Sequence, residues 1–281
     1  MILMGLILKS PGPLLASIGP LNLRWYGLLT AIGFLVALTV SVKLLEFRRK
    51  ILANEHDLSI SNNITEDELT NFSILVLLTG LIGARLWYVI LQWNYYSGNL
   101  NEIVQIWHGG QSIQGGILGV IIGAWFFSKD YKELFFKLSL IASTVPLAQA
   151  IGRWGNFFNE EAFGIATNLD LPIKLYIHKT GLLHHPTFLY EAIWNLFNFA
   201  ILMFLNKFLY EKVHSISIFK KDVILVSSYL IIYSIGRLMI ESMRTDSLLI
   251  GNFAAATCIS FIMIGVGAVG IFYAVMLSER K

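Results

Sequence analysis

The sequence predicts an all-α integral membrane protein with about seven transmembrane helices, its N-terminus outside and its C-terminus in the cytoplasm. Three observations lead to that reading. Of the 281 residues, 56% are hydrophobic and only 14% charged, and mean hydropathy is +0.65, whereas ordinary soluble domains are roughly 45–50% apolar and about 25% charged. The apolar residues fall in blocks of about 18–25, the length a helix needs to cross a hydrocarbon core of about 30 Å. The basic residues are segregated between alternate connections, which fixes orientation.

Residues 1–22 read as an interfacial arm. Met1–Leu8 is apolar but lacks the basic stretch of a signal peptide, and Pro11, Pro13 and Pro20 interrupt the remainder of the arm. The spans then fall at 25–45, 70–92, 113–128, 135–152, 187–209, 222–242 and 251–277. The third is the shortest and opens among glycines, as a re-entrant or broken segment does. The longest connections are 46–69 and 153–186, the latter read as an outward-facing loop region. No soluble domain is evident, so residues 1–281 read as a single polytopic membrane domain. Lys43, Arg48, Arg49, Lys50, Lys129, Lys132, Lys137, Lys207, Lys212, Lys220, Lys221, Arg280 and Lys281 fall on one side, which is therefore cytoplasmic; Lys9, Arg24, Arg153, Lys174, Lys179 and Arg244 fall on the other. Cys258 is the single cysteine. It excludes an intrachain disulfide, and no Cys/His metal spacing is present.

Charge inside a span costs about 2.5–3.5 kcal/mol even on lenient insertion scales, so each such residue needs a reason. In the sixth span Tyr233, Arg237 and Glu241 are four apart and share one helix face, and Arg244 continues the stripe. Such a stripe faces protein or a water-filled cavity, and a structural Arg237–Glu241 ion pair is the competing reading. Arg85, in Gly80-Leu-Ile-Gly83-Ala-Arg85, either projects into a space enclosed by close helix approach or snorkels to the interface. The segment Gly152-Arg153-Trp154-Gly155-Asn156-Phe157-Phe158-Asn159-Glu160-Glu161-Ala162-Phe163-Gly164 closes the fourth span. Its arginine matches phosphate geometry, its amides suit ester or glycerol oxygens, and its glycines let backbone approach a ligand. An interfacial turn in an aromatic belt accounts for the rings but not for the polar cluster. The run Trp107-His108-Gly109-Gly110-Gln111-Ser112-Ile113-Gln114-Gly115-Gly116 suits irregular backbone lining a cavity. Pro186-Thr187 suits a helix start, and His184 reads as a solvated loop residue. A secondary transporter, or an anion- or lipid-binding membrane protein, would also place arginines and broken helices at mid-membrane. A transporter predicts an internal repeat, and none is visible. Nothing points to nucleic acid.

Together these segments resemble the prolipoprotein diacylglyceryl transferase family over nearly the whole chain. The resemblance rests on Ile18-Gly19-Pro20 with Leu23-Arg24-Trp25-Tyr26-Gly27, on the long and specific Gly152–Gly164 segment, on His185-Pro186-Thr187 with Leu189-Tyr190-Glu191, and on Arg237 with Glu241 and Arg244. It implies a multi-pass enzyme of the bacterial cytoplasmic (inner) membrane. Such an enzyme moves the diacylglyceryl group of phosphatidylglycerol to the lipobox cysteine of a preprolipoprotein, giving a thioether and glycerol phosphate without metal or organic cofactor. It also implies the site: Arg153, Arg237, Glu241 and Tyr233 for catalysis, with Asn156, Asn159, Glu161, Gly164, Tyr26, Arg85 and Gln114 joining Arg153 in substrate binding. Arginines aimed at the phosphate would stabilise charge developing on the leaving group. Glu241 would hold Arg237 or, if burial raises its pKa, act as a base. One position departs from the family, which usually carries a histidine where Gln114 stands. Glutamine takes up no proton at neutral pH, so the resemblance leaves the base open.

Overall fold

The computed structural model describes residues 5–19, 21–54, 64–105, 109–246, 249–250 and 253–276. Pro20, Trp107, His108, Arg280 and Lys281 lie outside the described residues. In chain order the elements are β1 (Leu6–Lys9), β2 (Leu14–Ile18), β3 (Leu21–Arg24), α1 (Trp25–Asn54), α2 (Glu66–Leu91), the single-turn α3 (Trp93–Tyr96), a 3-10 turn (Leu100–Val104), α4 (Ile113–Phe126), α5 (Tyr131–Asn159), β4 (Ile173–Ile177), β5 (Leu182–His184), α6 (Thr187–Lys212), α7 (Ile218–Glu241), β6 (Leu249–Ile250), β7 (Phe253–Ala254) and α8 (Ala255–Met276). Among the described residues six helices are long and apolar enough to cross a membrane: those beginning at Trp25, Glu66, Tyr131, Thr187, Ile218 and Ala255. The third apolar run of the sequence forms the shorter α4, 14 residues or about 21 Å.

The chain divides into two compact units, Met1–Ser41 with Ser139–Lys281, and Val42–Leu138. In the second unit α2 starts with a capping box: Thr65 Oγ1 accepts from the Glu68 amide at 3.1 Å and Glu68 Oε2 from the Thr65 amide at 2.8 Å. Glu66, Asp67 and Glu68 complement the helix dipole there. Helix α4 runs antiparallel against α2. The Ser112 amide donates to the Ala84 carbonyl at 3.0 Å, and Lys129, just past the end of α4, reaches Glu68 at 3.7 Å. Between those points a Cβ on Gly115 or Gly119 would strike the backbone of Gly83 or Thr79, so only glycine permits this approach.

Two expectations change in the first unit. The segments read as an interfacial arm and a loop region are not wholly irregular: β1 from the arm lies parallel to β4, and β4 antiparallel to β5, while β2 and β3 form a hairpin. Together with α5 and α6 the three-stranded sheet encloses Phe157, Leu175, Ile177 and Phe188. The fold is thus helical in its spans, with small sheets outside them. The fourth span also does not stop at Gly152. Helix α5 continues to Asn159, because Gly152 and Gly155 are accommodated within it. Gly155 gives room to Tyr26, whose ring would lie 2.6 Å from a Cβ there, and Trp25 stacks on Phe158 with centroids 4.5 Å apart.

Candidate active site

The extension of α5 puts Arg153, Asn156 and Asn159 at three-residue spacing on one helix, near its C-terminal end. Beyond Asn159 the chain reverses. Glu160 and Ala162 take positive φ of 50° and 55°, an uncommon conformation for residues with a side chain. The reversal returns Glu161, whose amide donates to the Asn156 carbonyl at 3.1 Å. Its carboxylate accepts from the Asn156 and Asn159 amides at 2.9 and 3.2 Å. Asn159 Oδ1 is buried and has no partner among the described residues.

The strand-like stretch after this reversal is held from two sides. The Gly164 amide donates to the His185 carbonyl at 3.1 Å and the Ile165 amide to the Met243 carbonyl at 2.8 Å. A Cβ on Gly164 would lie 2.7 Å from His185 Cβ and 3.0 Å from Thr187 Cγ2, so this expected site residue serves close packing. His184, read from the sequence as solvated, is buried. Its Nδ1 meets the Gly164 carbonyl at 2.7 Å and its Nε2 meets Thr180 Oγ1 at 2.8 Å. The loop thereby ties the ends of α5 and α7 to the start of α6.

At that junction three arginines converge on Glu191, which is 4% exposed. Arg153 Nε lies 2.7 Å from its Oε2, Arg237 Nη1 2.5 Å from its Oε1 and Arg244 Nη1 3.6 Å from its Oε1. Arg237 Nη2 also pairs with Glu241 at 2.5 Å, and Arg244 forks onto Asp246. The competing readings of the sixth-span stripe are both realised: Arg237–Glu241 is an ion pair, and Arg237 also lines a cavity. Since Arg153 spends Nε on Glu191 and reaches Asn156 Oδ1 through Nη1 at 3.5 Å, its Nη2 has no protein partner among the described residues. Arg153, Glu191, Asn195, Tyr233 and Arg237 line a cavity of about 10 Å³ together with Trp194, Gly236 and Ile240. Gly236 is required where it stands, because a Cβ would run into the Trp194 indole, whose Nε1 donates to the Ile232 carbonyl at 2.8 Å.

Of the expected residues, Arg153, Arg237, Glu241 and Tyr233 are brought together here. Asn156, Asn159 and Glu161 form the adjoining amide–carboxylate cluster, and Tyr26 packs against the same stretch of α5 at Gly155. Glu191, the centre of the ion-pair network, is absent from the expected set. Its signals are an acid one turn into an apolar helix, after Pro186-Thr187, and a place in the Leu189-Tyr190-Glu191 segment of the family resemblance, to which no role was attached.

Arg85 and Gln114 belong to the other unit. Arg85 is 5% exposed and does not snorkel. Its guanidinium donates to the carbonyls of Glu102, Ile103, Gln105, Gly109 and Gly110 and lies 5.2 Å from the Tyr96 ring. Arg85 thereby satisfies carbonyls of the non-helical segment preceding α4. Gln114 is exposed, and its Oε1 accepts from Ser112 Oγ at 2.5 Å. Among the described residues no group of three or more His, Cys, Asp or Glu could hold a metal ion.

A half-buried guanidinium cluster around the buried Glu191, at the ends of three apolar helices and beside amides and a glycine-held loop, suits a lipid phosphate. The family model for prolipoprotein diacylglyceryl transferase matches residues 13–273. A phosphatidylglycerol–prolipoprotein diacylglyceryl transferase of Acaryochloris marina is 40% identical over 97% of this chain and 94% of its own length. One of a Nostoc species is 39% identical over 94% and 90%, and one of Lysinibacillus sphaericus 36% identical over 96% and 94%. With both the signature segment and nearly the full length matched, the chain belongs to the prolipoprotein diacylglyceryl transferase family.

Proposed function

We propose that this chain transfers the diacylglyceryl group of phosphatidylglycerol to the lipobox cysteine of a preprolipoprotein at the cluster around Glu191. The observation that carries the reading is Arg153: Glu191 fixes its Nε edge and leaves Nη2 for a ligand, beside Arg237. Sulfur attacks the glyceryl carbon that bears the phosphate ester. The carbon–oxygen bond breaks, its electron pair leaves on the phosphate oxygen, and the thiol proton balances the glycerol phosphate released. Arg153 and Arg237 stabilise charge on that oxygen as it develops. Asn156 and Asn159, oriented by Glu161, bind head-group or ester oxygens. Tyr26 and Tyr233 flank the lipid, and Glu241 positions Arg237. Gly164 closes the loop over the site. Arg85 acts by holding the segment before α4, and Gln114, which takes up no proton at neutral pH, is not the base. The test is replacement of the resident transferase in a bacterium depleted of it. Growth and diacylglyceryl-modified lipoproteins should return, and unmodified lipoproteins despite normal membrane levels of this chain would sink the reading.

The whole chain acts as one polytopic domain of the bacterial cytoplasmic membrane, since α1 and α5 each contribute to both compact units. Six crossings would leave both termini on one side. The segregation of basic residues calls for an odd number, so α4 supplies a seventh, with the Arg85-bound segment making up the depth its about 21 Å does not reach. In a Cys258→Ser background, Lys129→Cys should react with a membrane-impermeant maleimide only after permeabilisation, and Lys179→Cys should react without it. Labelling of Lys129→Cys in intact cells would mean that α4 does not cross.

A further inference from the structure

Asn195 stands one turn after Glu191 on α6 and is 3% exposed. Its Oδ1 is buried and has no hydrogen-bond partner among the described residues. A buried acceptor left unpaired costs about 1–3 kcal/mol, and a donor brought by a ligand would remove that cost. The side chain lines the same cavity as Arg153, Glu191, Tyr233 and Arg237. Two features define that donor. The cavity, about 10 Å³, admits a single group about the size of a water molecule. An amide oxygen can only accept, so the group must donate. A hydroxyl meets both requirements.

We infer that Asn195 accepts a hydrogen bond from a terminal hydroxyl of the lipid's glycerol head group, and thereby selects a polyol phosphodiester over one with an alkyl head. This rests on the reading that the phosphate of phosphatidylglycerol lies at Arg153 and Arg237. Asn159 also carries an unpaired acceptor but does not line this cavity, so it has no part in the discrimination.

The test compares phosphatidylglycerol with phosphatidylpropanol, a phosphodiester of the same length without head-group hydroxyls, as donors to a lipobox peptide in vesicles. The enzymes are wild type, Asn195→Ala and Asn195→Leu. Wild type should prefer phosphatidylglycerol by about five- to tenfold in kcat/KM, the worth of about one hydrogen bond, and in both variants the ratio should fall to about one. An absence of preference in wild type would overturn the inference whether or not the variants fold. So would a ratio that survives in the variants, or a loss equal for both lipids, which would mark Asn195 as structural. A raised peptide KM with the lipid ratio intact would give the cavity to the incoming thiol instead. Wild type that forms product from neither lipid would overturn the transferase reading itself and this inference with it.

Discussion

Arg153→Ala is expected to lower transfer by about 10²–10³-fold, the range seen when one preorganised donor to a developing oxyanion is removed. The geometry explains why this arginine should matter most. Its Nε is committed to Glu191 at 2.7 Å and its Nη1 to Asn156 at 3.5 Å, so its remaining Nη2 is held in place before lipid arrives. Preorganisation of this kind spares the reorganisation that a mobile cation would undergo. Arg153→Lys should recover little, because an ammonium cannot contact Glu191 and a phosphate in one plane as a guanidinium does. Initial rates with purified protein at saturating phosphatidylglycerol check this, and Arg153→Lys within tenfold of wild type would show that charge without geometry suffices.

Glu191→Ala is expected to be the most damaging single change to the fold. Glu191 is the shared partner of Arg153, Arg237 and Arg244, on a side chain 5% exposed. Removing one member of a buried pair costs about 3–5 kcal/mol, because the partner's charge stays buried without compensation. Here Arg153 would lose the one carboxylate it pairs with among the described residues, while Arg237 keeps Glu241 and Arg244 keeps Asp246. The apparent melting temperature in detergent should fall and activity should vanish. Glu191→Asp separates the two effects: it keeps the charge but, one methylene shorter, cannot reach Arg153 and Arg237 together. It should retain most of the melting temperature and lose most of the activity. Full activity in Glu191→Asp would mean that the network does not position Arg153.

Six of the seven expected spans could be read from the sequence because a run of twenty apolar residues has few soluble uses. The stripe of Tyr233, Arg237 and Glu241 was legible for the same reason, since charge on an apolar helix stands out. Glu191 was not. One turn into a helix that begins at Pro186-Thr187, an acid is ordinary, because it complements the helix dipole. Only the convergence of α5, α6 and α7 shows it as a shared partner. The strands of the arm were hidden by separation: β1 pairs with β4 across more than 160 residues, and neither is long enough to announce itself. The fourth span was closed at Gly152 because polar residues and glycines follow it, whereas α5 stays helical to Asn159, with Gly155 packed against Tyr26. Arg85 was ambiguous because its partners are backbone carbonyls, which carry no sequence signal.

The central claim is that this cluster expels a phosphate from a lipid while sulfur takes its place on carbon. Mass analysis of both products, from purified protein with phosphatidylglycerol vesicles and a lipobox peptide, tests it most directly. The account predicts a peptide heavier by one diacylglyceryl group and an equal amount of glycerol phosphate, both lost in Arg153→Ala. A peptide carrying only a fatty acyl group, or product formed undiminished in Arg153→Ala, would contradict it.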